Sequence, residues 1–313
     1  MSNEAKFQPA WVADGQEGPV DVSVVLIGLN ACRYILECIA SLRDAQWPDC
    51  RYEVIYVDNG SRDDSVAQVR AHWPQVKLIA NERNLGFCPA GNQAARVARG
   101  THLYFLNDDT LVPGDAVARA WRTLRSRPEV GLVGSRLLNL DGSDQWSGRR
   151  FPTVWASVLG RRSWLARWFP KAAPLADYLC MQEVAKGEAF EVDWVSAAAM
   201  VIHVDVFWRI GGLAEDYYYW HEAVFCDRLR ATGLKVVLDP QSKIVHYEGK
   251  GSGKRTYAVL RWHILDFHRG AYRCFCEHYR LSRWNPLRWL VGAGLAARAG
   301  LLLAGNWVTA PRT

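Results

Sequence analysis

The chain has 313 residues, half of them hydrophobic, and a modest formal net charge of +6. That length and apolar share exclude global disorder and fit one large α/β domain, alone or with a C-terminal appendage. Its 8 cysteines form no CxxC pair, Cys274-Phe275-Cys276 being the one close couple, so neither a zinc site nor a disulfide framework is expected.

Residues 1–20 read as a loose polar lead-in. The opening MSNEAKFQPAW lacks the basic-then-apolar pattern of a secretory signal, which predicts a cytoplasmic protein. Four short apolar runs follow: Val22–Ile27, Glu53–Val57, Lys77–Ala80 and His102–Leu106. All are of strand length, and the first two are rich in β-branched residues. Between those two, Ile35, Cys38, Ile39 and Leu42 recur at helical spacing, and Ala94–Arg99 and Asp115–Arg125 read as later helices. Strands alternating with helices predict an α/β fold with a mainly parallel, Rossmann-like sheet flanked by helices.

In such sheets ligands bind beyond the carboxyl ends of the strands. Those ends are unusually polar here. They read Gly28-Leu29-Asn30, Asp58-Asn59-Gly60-Ser61, Asn84-Leu85-Gly86-Phe87 and Asn107-Asp108-Asp109. Any one of them suits ordinary turn chemistry; four together point to a ligand site. The first turn, GLNACR, is not GxGxxG, which disfavours a dinucleotide-binding domain. Gly249 to Arg255 is rich in glycine and lysine, but its spacing fails the Walker pattern and an NTPase is not expected.

The segment 150–190 interleaves Trp155, Leu159, Trp164, Leu165, Trp168 and Phe169 with Arg161, Arg162, Arg167 and Lys171. It reads as an amphipathic membrane-facing insertion or as a helical flap on the core. Tyr257–Asn306 reads as two or three helices, a helical C-terminal appendage. Its apolar stretch Trp289–Leu303 is interrupted by Arg298, and no uncharged run reaches the ~18 residues of a span. It is therefore expected to lie on a membrane, or to pair with a second subunit as a homodimer contact. Arginine–tryptophan neighbours such as Arg283-Trp284 and Arg288-Trp289 suit an anionic lipid surface. Basic charge also suits nucleic acid, but no homeodomain-like helix, zinc finger or RNP signature is present, so nucleic acid is not an expected partner.

Six segments in order carry a specific likeness: VDNGSRDDS at 57–65, NLGFCPAGNQA at 84–94, FLNDDT at 105–110, WVSAAAMVIHVDVFWRIGGLAEDYYYW at 194–220, CDRLRATG at 226–233 and DPQSKIVHYEGKGS at 239–252. With them, from about Val22 to Gly253, the sequence resembles the family-2 inverting glycosyltransferases of the GT-A fold, especially bacterial rhamnosyltransferase-like members. The resemblance implies a transferase domain over 21–256, with a nucleotide-binding half at 21–110 and an acceptor and catalytic half at 111–256. Residues 257–313 would form a helical membrane-associating or oligomerising region.

The same resemblance implies roles. Asp58 matches the acid that accepts from the imide N–H of uracil or thymine. Ile27, Leu29 and Asn30 match the other wall of the base pocket. Asn59, Asn84 and Gly86 fall beside the nucleotide, and Trp194 opens the segment assigned to the donor side. Asn107-Asp108-Asp109 occupies the place of the DxD motif. There Asp109 is the implied ligand of a divalent cation, Mg²⁺ or Mn²⁺, and Asn107 and Asp108 accompany the donor. His246 matches the histidine that completes the metal or diphosphate site. Lys250, Ser252, Lys254 and Arg255 read as a cationic lid over the diphosphate or as a solvated basic loop.

The catalytic base departs from the family pattern. Anchored without gaps on Arg228-Leu229-Arg230, the family aspartate falls on Glu222 and the glutamate before it on His221. A one-residue gap places the aspartate on Ala223 and leaves no base. The ungapped register keeps a carboxylate at the reactive position, and His221 is an alternative base with a suitable intrinsic pKa. The implied reaction transfers a sugar, L-rhamnose first, from a dTDP- or UDP-linked donor to a glycan or lipid-linked acceptor at the inner face of the plasma membrane. A weakly active or non-catalytic nucleotide-sugar-binding scaffold is the alternative.

Overall fold

The computed structural model describes residues 10–151, 173–247 and 256–309. In its first half, strands β1 (Val22–Gly28), β2 (Tyr52–Asp58), β3 (Lys77–Ala80) and β4 (His102–Asn107) alternate with helices α1 (Cys32–Asp44), α2 (Ser65–His72) and α3 (Phe87–Val97). Then come β5 (Thr110–Leu111), α4 (Ala116–Arg125), β6 (Val130–Leu138) and β7 (Gly148–Arg149). After Ala173 follow α5 (Ala173–Tyr178), α6 (Met181–Lys186), β8 (Phe190–Val192), β9 (Trp194–Val195) and β10 (Ala199–His203). The domain closes with α7 (Val204–Arg209), α8 (His221–Arg230) and β11 (Lys235–His246), and two long helices end the chain, α9 (Tyr257–His278) and α10 (Pro286–Thr309).

One sheet runs β3-β2-β1-β4-β10-β6-β11-β5, with β8 added to β11. The first four strands pair in parallel, as the alternation of strand and helix requires. Beyond them β10 lies antiparallel to both β4 and β6, and β6 pairs β11 in parallel. The expected sheet is therefore parallel through the nucleotide half and mixed in the other. Both faces are covered, so its strands are apolar on both sides. Val25, Ile55 and Phe105 face one apolar cluster with α3 and α8, while Val24, Val54 and Tyr104 face another with α1 and α4.

Two local expectations change. Helix α3 begins at Phe87, well before Ala94. Its buried face is built from Cys88, Ala90, Gly91, Ala94 and Ala95, small residues that leave no bulky periodic signal, and Pro89 is tolerated in the first turn. The lead-in is docked where it is described. The backbone of Ala10 and Val12 exchanges hydrogen bonds with Tyr52 (2.8 and 2.7 Å), and Trp11 stacks on Trp73. The interleaved aromatic and basic side chains of 155–171 lie outside the described residues.

The C-terminal helical region is present as α9 and α10. Between Pro286 and Trp307 the second helix is long and apolar enough to cross a membrane by length and composition, and only 6% of its most apolar window is buried inside the fold. That exceeds the surface-lying segment expected from sequence.

Candidate active site

Register places the polar strand ends side by side. Gly28 pairs with Asp58, and Ile27 with Asn107, across β1. Glycine at 28 is required by space: a Cβ there would stand 2.5 Å from Asp108 Oδ2 and 2.6 Å from the Tyr56 hydroxyl. Asp58 is buried; its Oδ1 accepts from the backbone N–H of Gly60 (3.2 Å) and Ser61 (2.9 Å), and its Oδ2 from the Tyr56 hydroxyl (3.2 Å). Asn30, in the left-handed region at φ 53°, closes this corner. Its N–H donates to Ser61 Oγ (2.8 Å) and its Oδ1 accepts from Arg62 N–H (2.7 Å). Leu29 is exposed beside it, and Ile27 is half-buried.

Asn59 knits the next loop. Its amide donates to Asn84 Oδ1 (2.9 Å) and Gly86 O (3.1 Å), while its Oδ1 accepts from Leu85 N–H (3.0 Å). Asn84 Oδ1 also accepts from Gly86 N–H (2.8 Å), and Gly86 caps α3 at φ 91°. The first three strand ends are thus one bonded surface, and the β1–β4 register sets the fourth beside them.

Asp109 and His246 come together because β5 pairs antiparallel with the end of β11, Thr110 opposite His246. Nε2 of His246 lies 3.2 Å from Asp109 Oδ1 and 3.2 Å from Asn107 Nδ2. On the other side of the ring, Nδ1 is 2.7 Å from Gln145 Oε1. The Gln145 amide donates to Asn139 Oδ1 and to His246 O, both at 2.8 Å, so its oxygen must face the ring and Nδ1 must be the donor. Nε2 therefore faces the Asp109 carboxylate across 3.2 Å with the Asn107 amide beside it, an arrangement that suits a cation or proton between nitrogen and carboxylate. Asp108 adds to the demand. Its Oδ2 is shut off from water without a partner, and burial, followed by the charge of Asp109, pushes its carboxyl well above the usual range.

The base-bearing corner is the start of α8. His221 and Glu222 are partly exposed, whereas Ala223 to Cys226 are buried. Glu222 Oε2 lies 3.6 Å from His221 Nδ1, which also contacts Tyr218 O at 3.0 Å. The ring of His221 meets Phe87 (centroids 5.1 Å), next to Gly86, so this corner reaches the strand-end surface through α3. Burial pushes the Cys88 thiol up, with the Glu222 charge as the next cause, which places Cys88 within the field of that carboxylate.

Trp194 is not brought to this surface. It is buried, donates its indole N–H to Arg150 O (3.0 Å), lies under the Arg149 guanidinium and sits 6.2 Å from Trp220. Lys250, Ser252, Lys254 and Arg255 lie outside the described residues. Gln145 was not legible as a site residue, because it is a lone polar residue in a loop with no motif around it. Tyr56, whose hydroxyl lies between Asp58 and Gly28, had read only as a strand residue.

Residues 23–186, more than half of the chain, match the family model described as "Glycosyl transferase family 2". The chain belongs to that family. This glycosyltransferase is 26% identical over 267 residues to the N-acetylglucosaminyl-diphospho-decaprenol L-rhamnosyltransferase of Mycobacterium tuberculosis, covering 81% of this chain and 84% of that one. It is also 26% identical over 222 residues to the O-antigen biosynthesis protein RfbC of Myxococcus xanthus, covering 68% of this chain but only 16% of RfbC. Among solved structures it is similar to a mannosyltransferase of Pyrobaculum calidifontis in complex with GDP-Man and Mn²⁺. The TM-score is 0.55 and the identity 20%, over 93% of this chain and 80% of that one. The last likeness concerns the fold, a GT-A-like sheet with its flanking helices.

No cluster of three or more His, Cys, Asp and Glu suited to a metal occurs among the described residues. The glycosyltransferase nevertheless has a fitting donor set for a hard cation that takes few protein ligands and keeps substrate phosphates and water. Asp109 Oδ1 and His246 Nε2 face each other, and the unpartnered Asp108 oxygen lies in the same acidic turn.

Proposed function

We propose that this glycosyltransferase moves a sugar, L-rhamnose first among the candidates, from a dTDP- or UDP-linked donor to a glycan or lipid-linked acceptor by single in-line displacement with inversion. The observation that carries the reading is the facing pair Asp109 and His246, with Gln145 holding the imidazole so that Nε2 is turned toward the carboxylate. Asp58 and the backbone of Ile27 to Asn30 receive the nucleobase, and Asn59, Asn84 and Gly86 shape the loop beside it. A Mg²⁺ or Mn²⁺ held by Asp109 and His246 supplies positive charge against the diphosphate.

Glu222 takes the proton of the attacking acceptor hydroxyl. Burial supports this register: a carboxylate at 222 reaches solvent at the start of α8, whereas one at 223 would sit in the core. His221 beside it restrains the carboxylate. The protein works from the cytoplasmic side, with α10 engaging the inner face of the plasma membrane. Trp284, Trp289, Leu290, Leu301 and Trp307 are exposed there, and Arg283 and Arg288 supply the cationic fringe. Arg288 and Arg298 divide the helix into short uncharged runs, which favours lying in the interface over spanning it.

The test is a thermal-shift screen of dTDP- and UDP-sugars with Mg²⁺ or Mn²⁺, followed by metal-dependent release of the nucleoside diphosphate. A ligand that binds only the folded state raises its stability. A donor that shifts the melting temperature and is turned over only with metal is expected. Binding without turnover across the whole panel would sink the reading.

A further inference from the structure

The residue before the base-bearing helix has an unusual backbone. Trp220 caps α8 at φ 70°, in the left-handed region, and its carbonyl accepts the first helical bond from Val224 N–H (3.0 Å). A bulky side chain rarely adopts that conformation and keeps it only where the surroundings over-determine it. Helix α9 supplies those surroundings. The Trp220 indole N–H donates to Phe267 O (3.1 Å), and its ring packs on Phe267 (5.3 Å). Gly270 opens the space: a Cβ there would stand 3.1 Å from both Trp220 Cδ1 and Tyr219 O. One helical turn to either side, Asp266 Oδ2 accepts from Tyr219 N–H (3.4 Å) and Arg273 Nη1 donates to Asp216 O (3.0 Å). These contacts recur every three or four residues, so one face of α9 grips the whole approach to α8.

We infer that Trp220 is a positioning residue for Glu222, and that α9 sets it by clasping its indole across Gly270. The inference rests on the reading of Glu222 as the base. Glu222 lies two residues into the turn that Trp220 caps, so a change in the Trp220 backbone rotates the carboxylate about the axis of α8. Proton transfer is sensitive to such rotation, because displacement of about 1 Å costs about 100-fold in rate. The C-terminal helices thereby act on the chemistry as well as on attachment.

Full-length Trp220→Gly, Trp220→Phe, Gly270→Ala and Glu222→Gln test this, with nucleoside diphosphate release measured on the first dTDP- or UDP-sugar that the wild-type protein turns over with Mn²⁺. Glycine accepts φ 70° without strain but does not hold it, so Trp220→Gly spares the fold while freeing the cap from the clasp that fixes it. Alanine favours a helix more than glycine does, so Gly270→Ala strengthens α9 while pressing on Trp220. The expected result is a fall in kcat of roughly 30-fold for Trp220→Gly and about 5-fold for Gly270→Ala, with donor KM within about 2-fold of wild type. Trp220→Phe, which keeps a ring in the clasp, recovers part of the loss. Wild-type kcat in Trp220→Gly and Gly270→Ala beside an inactive Glu222→Gln overturns the inference alone, as does an equal rise in donor KM. Full turnover in Glu222→Gln removes the base reading and the inference with it.

Discussion

His246 Nε2 points at Asp109 Oδ1 from 3.2 Å, and Gln145 holds the opposite side of the same ring at 2.7 Å. The pair exists because the end of β11 lies against β5, which starts directly after the acidic turn. A carboxylate facing an imidazole nitrogen is the pair proposed to hold the cation, and it makes the first prediction specific.

Asp109→Asn and His246→Ala should each lower Mn²⁺-dependent turnover by at least about 100-fold, the scale seen when one charge-stabilising group is removed. Gln145→Leu should leave the fold intact and weaken Mn²⁺ activation about 10-fold, because an outer partner orients its ligand. Titrating activity with Mn²⁺ reads both effects. An unchanged activation curve in Gln145→Leu would show that the imidazole needs no such support.

Glu222→Gln should remove transfer by a factor of about 100 to 10,000, the range for a positioned general base. Calorimetric binding of UDP or dTDP with Mn²⁺ should stay within about 2-fold of wild type, since Glu222 starts α8, apart from the nucleobase pocket proposed at Asp58. His221→Ala, by contrast, should retain measurable turnover. If His221→Ala is dead and Glu222→Gln active, the proton goes to the imidazole.

Gly28→Ala should disturb the proposed nucleotide pocket. The added methyl meets Asp108 Oδ2 and the Tyr56 hydroxyl at under 3 Å, so one of those side chains must move. Overpacking of this kind costs about 1–3 kcal/mol, readable as a lower urea midpoint together with weaker nucleotide binding. A variant of normal stability and affinity would mean that the three groups relax independently.

Acid should destabilise the fold through His102. Burial, and next the charge of His203, lower its pKa to about 4 from an ordinary 6.5. Trp121 donates to His102 Nδ1 at 3.2 Å while the Asp21 carbonyl faces the same nitrogen at 3.3 Å, so it is burial that chiefly disfavours the charged ring. Between pH 6.5 and 4 the unfolded chain therefore binds the proton that the folded chain refuses. The stabilisation is complete above pH 6.5 and is lost as pH falls toward 4, by on the order of 3 kcal/mol. Urea midpoints across that interval should show the loss, and His102→Asn should flatten the slope.

Leu290→Glu with Leu301→Glu should move the protein from the membrane to the soluble fraction, because both side chains are exposed on α10 and their replacement costs no core packing. Flotation with anionic vesicles is the measurement. Undiminished flotation of the double variant would assign attachment to another surface.

Much of this was legible locally. Strand β3 runs over the same Lys77–Ala80 as its apolar run, and Asp58, Asn107 and Asp109 sit at the strand ends where their neighbours placed them. Helix α3 was under-read because its buried face is made of small residues. Trp194 stands within a specific motif, and only the fold shows its buried ring beside Trp220 and Arg149, since motif membership does not say which way a ring points.

By itself the sequence settled the alternation of strands and helices and the polar loops at the carboxyl edge, because those signals are written in neighbouring residues through turn chemistry and apolar spacing, and its ordered motifs carried the family likeness. Only the tertiary structure decided that His246 Nδ1 faces Gln145, that Asp108 keeps an oxygen away from water, and that Trp220 packs against α9. Each depends on side chains from distant segments meeting in three dimensions, and no local pattern records such a meeting.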